Sequence, residues 1–160
     1  MHEKIIDIPT ADGRMEAFIT YPEQDGPFAP VVIYMDVWGL REELHDIARK
    51  VAVVGYYVLF PDLYYRQGRI RHQSRNERGQ MISMHNLDPE RQAQVRAPLQ
   101  KLSDAMVVAD SGAILDFLAT GEPVRRGGVG SIGYCMGGRH VICVAGGICA
   151  TPAIWRWSAS

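Results

Sequence analysis

Apolar and polar positions alternate along the chain with two different periods. Lys4 to Ile8 and Met15 to Tyr21 are strand-like and flank Thr10-Ala11-Asp12-Gly13, a turn sequence, which predicts an N-terminal β-hairpin. A polar loop with Gly and Pro follows, from Pro22 to Pro30. Val31-Val32-Ile33-Tyr34-Met35 is then a continuous apolar run, the mark of a strand covered on both faces. Leu44, Ile47, Ala48 and Val51 recur at helical spacing within Arg41 to Val54. Glu42 and Glu43 suit the first turn of that helix, Arg49 and Lys50 its later turns, and Gly55 its C′ position. Tyr56 to Phe60 reads as another buried strand, closed by Pro61-Asp62. Strand, helix and strand with short joins form a βαβ unit, so at least part of the sheet is parallel.

From Tyr64 to Asn86 the pattern lapses into a polar, Arg- and Gln-rich stretch. A connection of this length is either a solvated loop or a functional lid. Helical spacing returns at Leu102, Met106, Ala109, Ala113 and Phe117, predicting an apolar stripe on a helix ended by Gly121 and Pro123. After the basic turn Arg125-Arg126 comes a short apolar run, Val129 to Ile132. A helix is expected over Arg139 to Ala145, ended by Gly146-Gly147-Ile148.

With 160 residues, 47% of them hydrophobic, the chain suits one domain with a sizeable core. A net charge of −1 argues against nucleic acid or an anionic membrane as partner. Met1 to Asp12 has no apolar signal-like core, and the longest apolar run, Val51 to Pro61, is far too short to span a bilayer. The three cysteines, Cys135, Cys143 and Cys149, form no C-x-x-C pair. Reduced thiols in a cytoplasmic protein are the expectation, with no disulfide, zinc or cofactor.

Chemistry concentrates in Gly133-Tyr134-Cys135-Met136-Gly137-Gly138. Small residues stand two before and two after a potential nucleophile, between a short strand and a helix, which is the spacing of a nucleophile elbow. Such a turn strains its central residue and leaves no room for side chains beside it. At the helix N-terminus the dipole and free N–H groups favour thiolate and can hold an oxyanion. Other patterns overlap this stretch. Gly128 to Gly133 fits G-x-G-x-x-G, but no Asp or Glu occurs after Glu122 to bind a ribose. A phosphate loop fails because Arg139-His140 stand where Lys and Ser/Thr belong. A glycine-rich turn around an inert buried cysteine stays open.

Three stretches together resemble the dienelactone hydrolase family of α/β-hydrolases. Gly133-Tyr134-Cys135-Met136-Gly137-Gly138-Arg139 is similar to its Gly-x-Cys-x-Gly-Gly nucleophile segment. Val32 to Leu40 resembles its first buried strand and oxyanion loop, and Gly55 to Arg66 its Gly-Tyr…Pro-Asp-Leu-Tyr-x-Arg stretch. The resemblance implies an α/β-hydrolase fold: a mainly parallel sheet with an N-terminal hairpin and flanking helices. It implies Cys135 as nucleophile, the N–H groups of Val37 and Met136 as oxyanion hole, and a small lactone or ester as substrate. Asp36 stands where the family's glutamate lies near the thiol, one methylene shorter; a turn-capping Asp is the alternative there. Arg91 and Arg96 lie in the region of the family's substrate-binding arginines, although a plain surface position suits each.

The chain departs from the family after the elbow. Acid and then histidine should follow the nucleophile, yet the 25 residues after Cys135 hold no Asp or Glu and only His140. Five helical positions turn His140 about 140° from Cys135 in projection, so a structural role is expected for it. If a base comes from elsewhere, His72 and His85 are the first candidates. Residues 146–160 are expected to be a tail foreign to the fold, and the domain to be incomplete. Three functions follow as expectations: a hydrolase working through Cys135, an inactive fragment of one, or a non-catalytic, redox-sensitive thiol protein.

Overall fold

The computed structural model describes residues 1–72, 75–120 and 123–149. Strands β1 (His2–Thr10) and β2 (Gly13–Tyr21) form the expected antiparallel hairpin, paired from His2↔Tyr21 to Thr10↔Gly13. β3 (Ala29–Tyr34), helix α1 (Glu42–Ala52) and β4 (Tyr56–Pro61) form the βαβ unit. Later come α2 (Pro89–Gln100), α3 (Asp104–Thr120), β5 (Gly130–Gly133) and α4 (Met136–Cys149). The five strands lie in the order β1-β2-β4-β3-β5. β4, β3 and β5 are parallel, while β2 meets β4 antiparallel, so the sheet is mixed. The chain leaves β3 toward β4 on one side and returns to β5 on the other. Such a switch point opens a crevice at the carboxyl ends of the strands.

The continuous apolar runs behave as expected of doubly covered strands. Val31 to Met35 and Tyr57 to Phe60 are all buried. α1 lays Leu44, Ala48 and Ala52 on the sheet. The expected stripe is met in part: Leu102, Ala113 and Phe117 pack against the core, but the residues fully buried are Val107, Asp110, Ser111, Ile114 and Leu118, and Ala109 is exposed. Two polar residues turn the helix inward because each finds a partner there. Ser111 donates to the Val107 carbonyl (2.7 Å), so at 2.8 Å it accepts from Tyr34, whose hydroxyl burial pushes up to about 12. Asp110 takes both terminal nitrogens of Arg66 at 2.8 Å and the Tyr65 hydroxyl at 3.0 Å.

The polar stretch after Tyr64 is held down by arginines. Arg66 also reaches Asp12 at 2.7 Å, and Arg71 joins Asp62 at 3.0 Å and Glu16. Arg75 pairs with Glu43 at 2.5 Å. Burial raises the Asp62 carboxyl, against the pull of the Tyr64 N–H and Arg71. α2, absent from the sequence expectations, starts at Asp88, which accepts from the Arg91 N–H at 2.8 Å and precedes Pro89. Its buried face is only Val95 and Pro98, too thin for an apolar period. α4 also corrects an expectation, for it continues through Gly146 and Gly147 to Cys149. A Cβ at Gly147 would come within 2.9 Å of both methyls of Val108 on α3, so this glycine permits close helix packing. The rest of the expected C-terminal tail lies outside the described residues.

Candidate active site

The elbow is formed as its residues require. Cys135 has φ 54, a left-handed conformation that costs a side-chain-bearing residue on the order of 1–2 kcal/mol. The strain is imposed by backbone packing on both sides. A Cβ on Gly133 would sit 2.1 Å from the Gly137 carbonyl oxygen, and one on Gly137 would sit 2.3 Å from that of Tyr34. The turn is thus pressed against the end of β3, and the Tyr134 N–H donates to the Tyr34 carbonyl at 3.2 Å. Turn bonds from Gly137 to Tyr134 (2.8 Å) and Gly138 to Cys135 (3.1 Å) lead into α4. Gly137 is buried and Cys135 exposed. The backbone N–H of Met136, first residue of α4, donates no hydrogen bond among the described residues.

The loop after β3 faces this turn. Asp36 shapes it: its carboxylate accepts the Trp38 N–H at 3.0 Å, and its carbonyl accepts the Gly39 N–H at 3.1 Å. Arg41 clamps the same carboxylate through both terminal nitrogens at 2.5 Å, with both side chains about nine-tenths buried. Arg41 in turn lies 3.4 Å from Glu43. The Val37 N–H, like that of Met136, has no acceptor among the described residues. Trp38 is buried with Leu87 and Val95, and Val37, Ile82 and Met84 pack beside them. Residues 82–95 therefore roof the loop with an apolar cover. Tyr64, fully buried, lies beneath the loop and the turn. Its hydroxyl donates toward the Val37 carbonyl (3.2 Å) and the Met136 sulfur (3.5 Å).

The histidines are dispersed. His140 is buried, its Nδ1 has no hydrogen-bond partner among the described residues, and burial lowers its pKa. That is the structural placement expected of it. His72 is half-buried with Nε2 unpartnered among the described residues and is likewise lowered by burial; His85 is exposed. Arg91 and Arg96 are both exposed on α2. A cavity of about 630 Å³ lies at the other end of the strands, lined by Pro30, Leu118, Val124, Arg125 and Val129, remote from the elbow along β3 and β5. Among the described residues no cluster of His, Cys, Asp or Glu is arranged to hold a metal, and no helix is long and apolar enough to cross a membrane. The sequence singled out Cys135, Met136, Asp36 and Val37 but missed Arg41 and Tyr64. Arg41 had signalled only a helix start. Tyr64 stands in the family-like stretch Gly55 to Arg66, at the start of the polar connection, and nothing local announces its two partners.

The dienelactone hydrolase family model matches residues 15–154. The provisionally named carboxymethylenebutenolidase of Methylorubrum extorquens is 29% identical over 134 residues, covering 84% of this chain and 41% of that protein. Its namesake in Escherichia coli is 30% identical over 140 residues, covering 82% of this chain and 43% of the relative. Among solved structures, the provisionally named dienelactone hydrolase of Klebsiella pneumoniae superposes with a TM-score of 0.71 at 25% identity, covering 90% of this chain and 54% of that one. The chain thus spans less than half the length of these two sequence relatives.

Proposed function

The chain belongs to the dienelactone hydrolase family, and from that premise we propose that it carries the acyl-accepting half of a hydrolase acting on a small lactone or ester, with Cys135 as nucleophile. The observation that carries this reading is the positive φ of Cys135 at an exposed position directly before the N-terminus of α4. A fold keeps such strain where a side chain must be presented. The thiolate sulfur adds to the carbonyl carbon, and the π electron pair moves onto oxygen. The N–H groups of Val37 and Met136 receive that oxyanion. Collapse restores the carbonyl, breaks the C–O bond and releases the alkoxide, which takes a proton from water; the acyl group stays on Cys135 as a thioester. Val37, Ile82 and Met84 offer an apolar wall for the substrate.

Asp36 fits a positioning role in this scheme. Arg41 and the Trp38 N–H occupy its carboxylate, so it holds the Val37 turn in shape. Within these 160 residues no carboxylate follows Cys135, and the histidine that does, His140, is buried. The 160-residue chain should therefore release about one p-nitrophenolate per chain from p-nitrophenyl acetate in a burst, with little turnover afterwards. Cys135→Ala should abolish the burst. A burst of equal size in Cys135→Ala would overturn the proposal.

A further inference from the structure

The two candidate oxyanion donors come from segments about 100 residues apart in sequence, Val37 after β3 and Met136 after β5. An oxyanion hole works only if its donors keep a fixed spacing, because a misplacement of about 1 Å can cost on the order of 100-fold in rate. One side chain touches both segments at those same two residues. The Tyr64 hydroxyl lies 3.2 Å from the Val37 carbonyl oxygen and 3.5 Å from the Met136 sulfur, and the tyrosine is fully buried. It is itself anchored from behind, since its own N–H donates to Asp62 at 2.9 Å and Arg71 holds that carboxylate at 3.0 Å.

We infer that Tyr64 is a positioning residue: its hydroxyl is the brace that sets the distance between the Val37 and Met136 N–H groups. This rests on the proposed oxyanion hole and adds to it the group that holds its halves in register. The phenol has one proton to share between carbonyl and sulfur. The carbonyl is the stronger acceptor; the Val37 N–H belongs to the preceding peptide group, and a bond that pins the Val37 carbonyl holds the residue between the two groups and so steadies the segment that carries the N–H. The flexible Met136 side chain fills the other side of the hydroxyl. Burial raises the Tyr64 pKa, with Asp36, Asp62 and Cys135 adding in the same direction, so the hydroxyl stays protonated and remains a donor when Cys135 is a thiolate.

The test compares Tyr64→Phe with Tyr65→Phe in the whole chain. Tyr65 is the next residue, and its hydroxyl bonds Thr10 at 2.7 Å and Asp110 at 3.0 Å, away from the oxyanion loop. Both variants lose one hydroxyl; only the first loses the brace. Two rates are read for each well below its melting temperature: acylation of Cys135 by p-nitrophenyl acetate, which forms an oxyanion, and alkylation by iodoacetamide, which forms none. Tyr64→Phe should slow acylation by about 10- to 100-fold, in the rate constant rather than in half-saturation, and leave alkylation within about twofold. Tyr65→Phe should change neither. Equal acylation in Tyr64→Phe and the unsubstituted chain overturns the brace while the oxyanion hole stands. Parallel loss in both tyrosine variants overturns it too, as plain destabilisation. Absence of Cys135-dependent acylation in the unsubstituted chain overturns the oxyanion hole and the brace with it.

Discussion

Gly137→Ala should cost far more stability than Gly138→Ala, the methyl insertion one residue on in the elbow. Its Cβ would stand 2.3 Å from the Tyr34 carbonyl oxygen and 2.8 Å from that of Met35, where real contacts stay beyond about 3.0 Å. Both neighbours are backbone, at the last residue of β3 and the one after it, so no side chain can swing aside. The turn must lift off β3, which stretches the bond from the Tyr134 N–H to Tyr34, 3.2 Å long at rest. Overpacking of about 1–3 kcal/mol and a lost hydrogen bond of about 1 kcal/mol put the loss near 2–4 kcal/mol. Gly138→Ala, one residue on, is the control. Its Cβ would meet nothing closer than 3.7 Å, and Ala is the better helix former by up to about 1 kcal/mol. The two variants should thus melt roughly 4–20 °C apart, at about 2–4 °C per kcal/mol for a chain of this size. Thermal and urea unfolding followed by circular dichroism measure the gap. Equal melting of the two variants, or Gly137→Ala melting within about 2 °C of the unsubstituted chain, would refute the packing argument.

Cys135→Gly should raise the melting temperature while abolishing acylation, because relief of about 1–2 kcal/mol of left-handed strain exceeds the roughly 0.5–1 kcal/mol of added chain entropy; a lower melting temperature would count against strain at Cys135. Arg66→Ala should cost about 3–5 kcal/mol, since it strands the buried Asp110 carboxylate, and a loss below about 1 kcal/mol in urea unfolding would show the pair to be dispensable. Stability should fall on acidification below pH ~6.5, the unfolded histidine value. His45, His72 and His140 are each lowered by burial, so the unfolded chain binds more protons between the folded values and 6.5. His140→Phe should flatten that slope, and an unchanged slope between pH 7.5 and 5.5 would remove His140 from the account.

What could be read from sequence divides along a physical line. Strands buried on both faces announce themselves as apolar runs, so β3 and β4 were legible, as was the hairpin around Asp12-Gly13. The elbow was legible because its constraint is local: Gly133 and Gly137 stand two residues either side of the strained residue whose turn they permit. Pairing across the fold was not. Asp110 and Ser111 look like solvent-facing residues until Arg66 and Tyr34 are placed opposite them, so the inward face of α3 is wider than the expected stripe, of which Leu102, Ala113 and Phe117 pack against the core and Ala109 does not. Gly146-Gly147 reads as a helix stop, whereas the packing of Val108 against Gly147 makes it part of a helix contact. Tyr64 lies in a family-like stretch, but its role becomes legible only where Val37 and Met136 meet above its hydroxyl.

At the elbow, the Cys135 thiolate should accept an acyl group. Brief exposure of the chain to substoichiometric p-nitrophenyl acetate, followed by proteolysis and tandem mass spectrometry, reads this out. The acetyl group should appear on Cys135, with Cys143, half-buried on the flank of α4, unmodified, and the label should be lost on treatment with hydroxylamine, as a thioester requires. Acetyl groups spread over lysines, or divided equally between Cys135 and Cys143, would contradict it.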